Sequence, residues 1–288
     1  MSASWQATSA RGGDIIESIA NDPDGTLVAS DFDGTLAPIV DDPGAAHIDP
    51  AALAAFARVA GLVGQAALVT GRGLDSVREL GRLDDTPGLE RLVVKAQYGV
   101  ETWDAATGEV TRPPLPPQIG QAEQRVADLL EQLGAEGIDV TGVGLEDKGR
   151  ALGVHTRQTH DPDGLLARLR EPVAAIADDL GLHVEPGRMV WELRATPGTK
   201  AQALDALLTA HNSRVAIMIG DDLADITAFD RLHELAAADG LQVAAVASSS
   251  AGEQPVVEQH ADVVCAGPGG VAEWLNAVAD AIEARRGR

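Results

Sequence analysis

The chain has 288 residues, 45% of them hydrophobic but only 3% aromatic, so one large or two moderate domains must build their cores from Leu, Val, Ile and Ala. Its 22 basic and 44 acidic residues give a net charge of −22, which argues against binding nucleic acid or an anionic membrane. Cys265 is the only cysteine, so no intramolecular disulfide forms; with no secretory leader and no apolar run long enough to span a bilayer, the expectation is a cytoplasmic monomer.

Residues 1–12 read as a disordered leader, followed by a short helix over 14–20. Leu27-Val28-Ala29-Ser30 has the length and polarity of a buried strand and ends at Asp31-Phe32-Asp33-Gly34-Thr35. A loop rich in Asp, Pro and Gly (38–50) leads to an Ala-rich helix from about Ala51 to Ala60. Gln65–Thr70 is a second buried strand, closed by Gly71-Arg72, and a helix starts near Leu74. Leu92–Lys95 is a third strand, and Tyr98 to Val110 reads as a hairpin turning at Ala106-Thr107-Gly108. Strand, helix, strand, helix, strand is the order that a parallel sheet with crossover helices requires.

The order changes after the stiff stretch Pro113–Pro117. A helix (Gln121–Leu133) precedes a strand pair, Val140–Leu145 and Ala151–Arg157, around Glu146-Asp147-Lys148-Gly149. A second helix (Gly164–Leu180) precedes another pair, His183–Glu185 and Met189–Leu193, around Pro186-Gly187. Helices grouped against hairpins predict a separate small α+β domain over 113–197. After Pro197-Gly198 the first pattern resumes, with a helix from Thr199, strand Val215–Ile219, Gly220-Asp221-Asp222, a helix, strands Gln242–Val246 and Asp262–Val264, and a C-terminal helix. The fold class is α/β: a parallel-sheet core over 1–112 and 198–288, interrupted by the smaller α+β insert.

Four stations carry chemistry. Asp31 and Asp33, spaced i, i+2, leave the end of a buried strand together, and Gly34 lets the backbone turn sharply. In open α/β sheets that end of a strand is where ligands bind. One carboxylate is placed to attack phosphorus and the other to handle the leaving group's proton, provided a cation offsets their charge against a phosphate. Thr70-Gly71-Arg72 offers a hydroxyl, a glycine turn and the N-terminal amides of the coming helix as a phosphate cradle. Lys200 is one of only three lysines (with Lys95 and Lys148) and lies in the first turn of a helix, where a cation is unfavourable for the helix itself; a phosphate is its natural partner. In Gly220-Asp221-Asp222-Leu223-Ala224-Asp225 an apolar strand again ends in paired carboxylates. Asp31, the main-chain oxygen of Asp33, and Asp221 would hold Mg²⁺, with Asp222 and Asp225 ordering its waters or orienting Lys200.

These stations, in this order, resemble the haloacid dehalogenase superfamily of phosphatases, over nearly the whole chain. The resemblance implies a Rossmann-like core with Asp31 as nucleophile, Asp33 as general acid/base, Thr70 and Lys200 on the phosphate, and Asp221 completing the Mg²⁺ site. Asp31–Ile39 (DFDGTLAPI), Val69–Arg72 (VTGR), Leu145–Lys148, His155-Thr156-Arg157, Trp191–Arg194 and GDDLAD narrow it to the trehalose-6-phosphate phosphatase family. In that family the insert is a cap whose polar groups hold the disaccharide; they map to Glu146, Lys148, Arg157, Arg188 and Glu192. The chain departs from the family pattern at Tyr98-Gly99, where His-Gly is usual, and at Ala224 and Ile226, where a hydroxyl and a carboxylate are usual.

The expected reaction is Mg²⁺-dependent hydrolysis of trehalose 6-phosphate through an aspartyl-phosphate, a small-molecule sugar phosphate being the only partner. The alternatives are a phosphatase of another disaccharide or pseudo-disaccharide phosphate, a phosphomutase, and a non-catalytic regulator that binds a sugar phosphate.

Overall fold

The computed structural model describes residues 4–40, 42–195, 198–249 and 255–287. The chain divides into two compact units, Met1–Arg112 with Gly198–Arg288, and Pro113–Pro197. In chain order the first unit begins with β1 (Trp5–Ala7), α1 (Ala10–Asn21), β2 (Thr26–Ser30), α2 (Pro50–Ala60), β3 (Gln65–Val69), α3 (Leu74–Gly81), β4 (Val93–Ala96), β5 (Glu101–Asp104) and β6 (Val110–Thr111). The second holds α4 (Pro117–Ala135), β7 (Gly144–Asp147), β8 (Ala151–His155), α5 (Pro162–Leu180), β9 (His183–Gly187) and β10 (Val190–Arg194). The first unit resumes with α6 (Lys200–His211), β11 (Val215–Gly220), α7 (Leu223–Asp239), β12 (Gln242–Ser248), α8 (Pro255–Gln259), β13 (Val263–Cys265) and α9 (Gly267–Arg286).

The strands of the first unit form one sheet in the order β1-β13-β12-β11-β2-β3-β4-β5-β6. From β13 to β4 neighbours run parallel; β1, β5 and β6 are antiparallel additions at the edges. Both faces are covered, as the unbroken apolar strands require. Val28, Leu68, Ile217, Ile219 and Val246 pack with Ile15, Phe56 and Trp274 on one side. Leu27, Ala29, Val69, Met218 and Ala245 pack with Leu204, Phe229 and Leu232 on the other. The chain leaves β2 for β3 on one side and returns later to β11 on the other, so the order reverses between β2 and β11. That reversal opens the crevice where ligands of such sheets bind.

In the inserted unit the sheet runs β7-β8-β10-β9, antiparallel throughout. Leu152, Val154 and Leu193 bury one face against Val126, Leu169 and Val173 of α4 and α5. No helix among the described residues is long and apolar enough to cross a membrane.

Three expectations need correction. The N-terminal segment is not a disordered leader from residue 4 onward: Trp5–Ala7 pairs with Cys265, Val264 and Val263, because the edge of β13 offers free backbone groups and Trp5 packs against the core. The first strand of the insert starts at Gly144 rather than Val140, after a bend at Gly142 (φ +90°), so Glu146 and Asp147 stand on the strand and not in its turn. The last hairpin turns at Arg188-Met189, with Met189 at φ +60°; Pro186 is paired with Trp191 on the edge strand β9, where proline's missing N–H is tolerated.

Asp262, 4% exposed, ties the N-terminal segment to the sheet. Its carboxylate accepts from Ser9 Oγ (2.7 Å) and the Ala245 amide (3.0 Å) and lies 2.9 Å from His233 Nε2. Burial pushes the carboxyl up, but His233, the Ala245 amide and Ser9 together outweigh it and hold it below 3.8. A depressed folded-state pKa stabilises above the unfolded value and loses that contribution as the pH falls through the folded one. Asp262→Ala is expected to cost about 2–3 kcal/mol at pH 7 by leaving the Ala245 N–H unpaired, and the gap to wild type should narrow below about pH 4. Urea unfolding at both pH values measures this.

Candidate active site

Ser30 pairs with Ile219 across β2 and β11, so Asp31 and Asp221, at the ends of these strands, meet at the crevice. The Asp31 amide donates to Ile219 O (2.8 Å) and fastens the turn to β11. Gly34 sits at φ +67°, and a Cβ there would lie 1.9 Å from Asp221 Oδ2, so only glycine fits. Thr35 Oγ1 donates to Asp221 Oδ1 (3.2 Å), and the buried Ser248 Oγ donates to Gly34 O (2.7 Å).

Lys200 is 2% exposed. Its Nζ lies 2.8 Å from Asp31 Oδ2, 2.8 Å from Asp225 Oδ1 and 3.5 Å from Asp222 Oδ1. Burial alone would strip its proton, but Asp225, Asp31 and Asp222 hold its pKa well above 10.5, so it is an ammonium ion. Thr199 places it: its side chain and Gln202 form a capping box that starts α6 there. Asp225 is saturated. One oxygen faces Lys200 and the other accepts from the Asp221 (3.1 Å) and Asp222 (3.2 Å) amides. Asp222 caps α7, accepting from the Ala224 and Asp225 amides (3.0 and 3.2 Å).

One ammonium is too little for these carboxylates. Burial, then the nearby charges of Asp31 and Asp222, pushes Asp221 up to about 8. Burial likewise lifts Asp31 to about 6, against the pull of Lys200. Oxygens of Asp31, Asp221 and Asp225 lie within 4.8 Å of one another. With Asp225 already engaged, Asp31 and Asp221 remain as donors, and an all-oxygen set of this kind suits a hard divalent cation.

Ser30 also pairs with Leu68, so Thr70, 1% exposed, emerges at the same sheet edge as Asp31. Thr70 Oγ1 accepts from the Arg72 amide (3.1 Å), which leaves its own proton to donate outward. Gly71 lies under Tyr98, whose hydroxyl would be 2.7 Å from a Cβ at that position. The cradle differs from expectation at two places. The Leu74 amide at the start of α3 is already taken by the buried Glu101 carboxylate (2.9 Å). Arg72 turns to Asp33, with Nε 2.7 Å from Oδ2 and Nη2 2.7 Å from Oδ1.

Of the expected sugar-binding residues, the inserted unit gathers three. Lys148 Nζ lies 2.9 Å from Glu192 Oε2 and 3.7 Å from Glu146 Oε2, and His155 Nε2 lies 2.9 Å from the same Glu146 oxygen. Strand register explains this, since Gly153 pairs with both Glu146 and Glu192 and, having no side chain, leaves room between them that the His155 ring enters. Arg157 and Arg188 are exposed and do not join that cluster. Thr35, Ser248 and Glu101 were missed from sequence. Thr35 stood inside the quoted motif, and Ser248 followed a strand-like run; Glu101 left no local signal, because only the β4–β5 pairing brings it to α3.

The architecture and the crevice define a haloacid dehalogenase-like hydrolase fold. A hydrolase of that type from Bacteroides thetaiotaomicron superposes with TM-score 0.58 at 16% identity, covering 88% of this chain and 99% of that one. The C. albicans trehalose-6-phosphate phosphatase C-terminal domain superposes with TM-score 0.72 at 21% identity, covering 96% and 99%. Residues 29–263 match the trehalose-phosphatase family. A probable trehalose-phosphate phosphatase of Sinorhizobium fredii is 31% identical over 78% of this chain and 81% of its own length. Other curated relatives are longer; the chain spans 53% of the Mycobacterium marinum trehalose-phosphate phosphatase. The chain belongs to the trehalose-phosphatase family and is a phosphoric monoester hydrolase.

Gly34→Ala tests the fit at the crevice. A methyl at this backbone angle should lower stability by about 1–2 kcal/mol and cut turnover at least ~10-fold by displacing Asp221, as read by thermal melting and phosphate release.

Proposed function

We propose that this chain hydrolyses trehalose 6-phosphate to trehalose and phosphate through an aspartyl-phosphate on Asp31. The observation that carries the reading is Asp31 held at a sheet switch point against a buried ammonium, with Asp221 beside it. Asp31 attacks phosphorus in line; its bond to phosphorus forms as the bond from phosphorus to the sugar oxygen breaks. Lys200 and the Thr70 hydroxyl stabilise charge on the phosphoryl oxygens. Asp33 protonates the departing sugar oxygen, then takes a proton from the water that attacks the aspartyl-phosphate, which returns Asp31 as a carboxylate and releases phosphate. Mg²⁺ held by Asp31, Asp221 and the main-chain oxygen of Asp33 would supply further neutralisation of the phosphate dianion. Asp222 and Asp225 orient Lys200.

The same reading gives Glu146, Lys148 and Glu192 the task of matching the disaccharide's hydroxyls, since linked acid and base groups present both acceptors and donors. Arg157 and Arg188 are assigned there by motif position. The chain works in this reading on a small soluble substrate, as a monomer in the cytoplasm, with no nucleic-acid or membrane partner.

Two measurements test it. Asp31→Asn should lose essentially all turnover while keeping the wild-type circular dichroism spectrum, and EDTA should abolish turnover that Mg²⁺ restores; substantial residual activity in the variant would falsify the nucleophile assignment. Lys148→Ala should lower kcat/KM for trehalose 6-phosphate by about 10-fold or more, the scale of one charge-assisted contact, and leave a small generic phosphate ester little changed. Equal loss on both esters would remove Lys148 from sugar recognition, and faster turnover of another disaccharide phosphate would reassign the substrate.

A further inference from the structure

Arg72 lies next to the expected phosphate cradle, yet its guanidinium is committed elsewhere. Nε and Nη2 grip both oxygens of Asp33 at 2.7 Å in a bidentate fork. Nη1 donates to Pro43 O (2.9 Å) and lies 3.4 Å from Ser76 Oγ. The carbon at the centre of the group sits 5.3 Å from the centroid of the Phe32 ring. All three nitrogens are therefore occupied, and the side chain is only 14% exposed while that of Asp33 is 40% exposed. The two carboxylates of the first motif thus have separate cations: Asp31 meets the point charge of Lys200 at 2.8 Å, and Asp33 meets a planar fork.

A phosphate ligand needs donors free to turn toward the phosphate. To serve as one, Arg72 would have to break a short bidentate pair and release Asp33 from its only side-chain partner among the described residues. The fork instead fixes where the Asp33 carboxyl can be. Asp33 follows Asp31 by two residues on a turn that reverses at Gly34, so its side chain has several ways to point, and a proton donor is useful only where the leaving oxygen emerges. Loop 42–45, pinned through Pro43, and α3, reached through Ser76, give the guanidinium a fixed base.

We propose that Arg72 is a positioning residue for Asp33 and not a phosphate ligand. It acts on the reaction through the placement of that one carboxyl group. This deepens the phosphatase reading above and rests on it. The proton balance closes over the cycle: the forked Asp33 carboxylate takes up a proton before the sugar oxygen leaves, gives it to that oxygen as the bond to phosphorus breaks, and regains one from the attacking water.

The test uses the leaving group. A sugar alkoxide is a strong base and needs the proton; p-nitrophenolate is a weak base and does not. The ratio kcat/KM covers only the steps up to release of the alcohol, so it isolates proton donation. Arg72→Lys and Arg72→Gln should lower kcat/KM about 10- to 100-fold for a sugar 6-phosphate and less than about 3-fold for p-nitrophenyl phosphate. Inhibition by inorganic phosphate should stay within about 3-fold of wild type. The double variant Asp33→Asn/Arg72→Lys should be no worse than Asp33→Asn alone, because Arg72 has nothing left to position. Thermal melting confirms folding, and the lysine variant keeps the charge if the glutamine variant unfolds.

Equal losses on both esters with weakened phosphate inhibition would overturn the proposal and make Arg72 a phosphate ligand. Additive losses in the double variant would also overturn it. In both cases wild-type turnover that vanishes in Asp31→Asn leaves the phosphatase reading standing. A wild-type chain that cleaves neither ester removes that reading, and this inference with it.

Discussion

The buried Lys200 ammonium is the interaction on which the crevice depends. It sits among Asp31, Asp222 and Asp225, and among the described side chains it is the one cation paired with those three. Removing one member of such a buried cluster costs about 3–5 kcal/mol, because the remaining charges are left without a partner. The arrangement is therefore maintained as a unit. Asp225 gives both oxygens to internal partners, which fixes the ammonium and the Asp221–Asp222 backbone together. Asp31 gives Lys200 a single oxygen. In the proposed reaction, the carboxylate that attacks is thus held by the point charge that would later meet the phosphate.

The sheet makes this cluster possible. Asp31, Asp221 and Lys200 are far apart in sequence, and a parallel sheet delivers the ends of β2, β3 and β11 to one rim. At the reversal β2 and β11 are direct parallel neighbours, so two acidic strand ends approach each other. Gly34 is the steric condition for that approach, because any side chain would meet Asp221. Burial then turns proximity into chemistry. The same desolvation that lifts Asp221 to about 8, together with the charges of Asp31 and Asp222, disfavours its bare anion, so a proton or a cation there would relieve the cluster.

Much of this was legible in the sequence, for reasons that can be named. Buried parallel strands read as unbroken apolar runs, so β2, β3 and β11 and the polar stations after them stood out. The Pro-rich stretch at 113–117 marked a change of pattern, although Pro117 itself opens α4, where its missing N–H costs nothing. What failed was decided by tertiary contact. The N-terminal strand is too short to carry a periodicity; it exists because β13 has an open edge. The turn at Arg188-Met189 displaced the one expected at Pro186-Gly187, since pairing of Pro186 with Trp191 sets the register. The Arg72 fork was equally hidden. A Thr-Gly-Arg turn beside a strand looks like an anion cradle, and only the structure shows the guanidinium closed on Asp33 and the first amide of α3 closed on Glu101.

The direct measurement is chemical trapping of the enzyme during turnover. Borohydride reduction of the acid-quenched protein, followed by peptide mass spectrometry, reports which carboxyl group carries the phosphoryl group. The account places the reduced product at Asp31 and at no other residue. Its appearance on Asp33 or Asp221, or its absence from every peptide under conditions of rapid turnover, would contradict it.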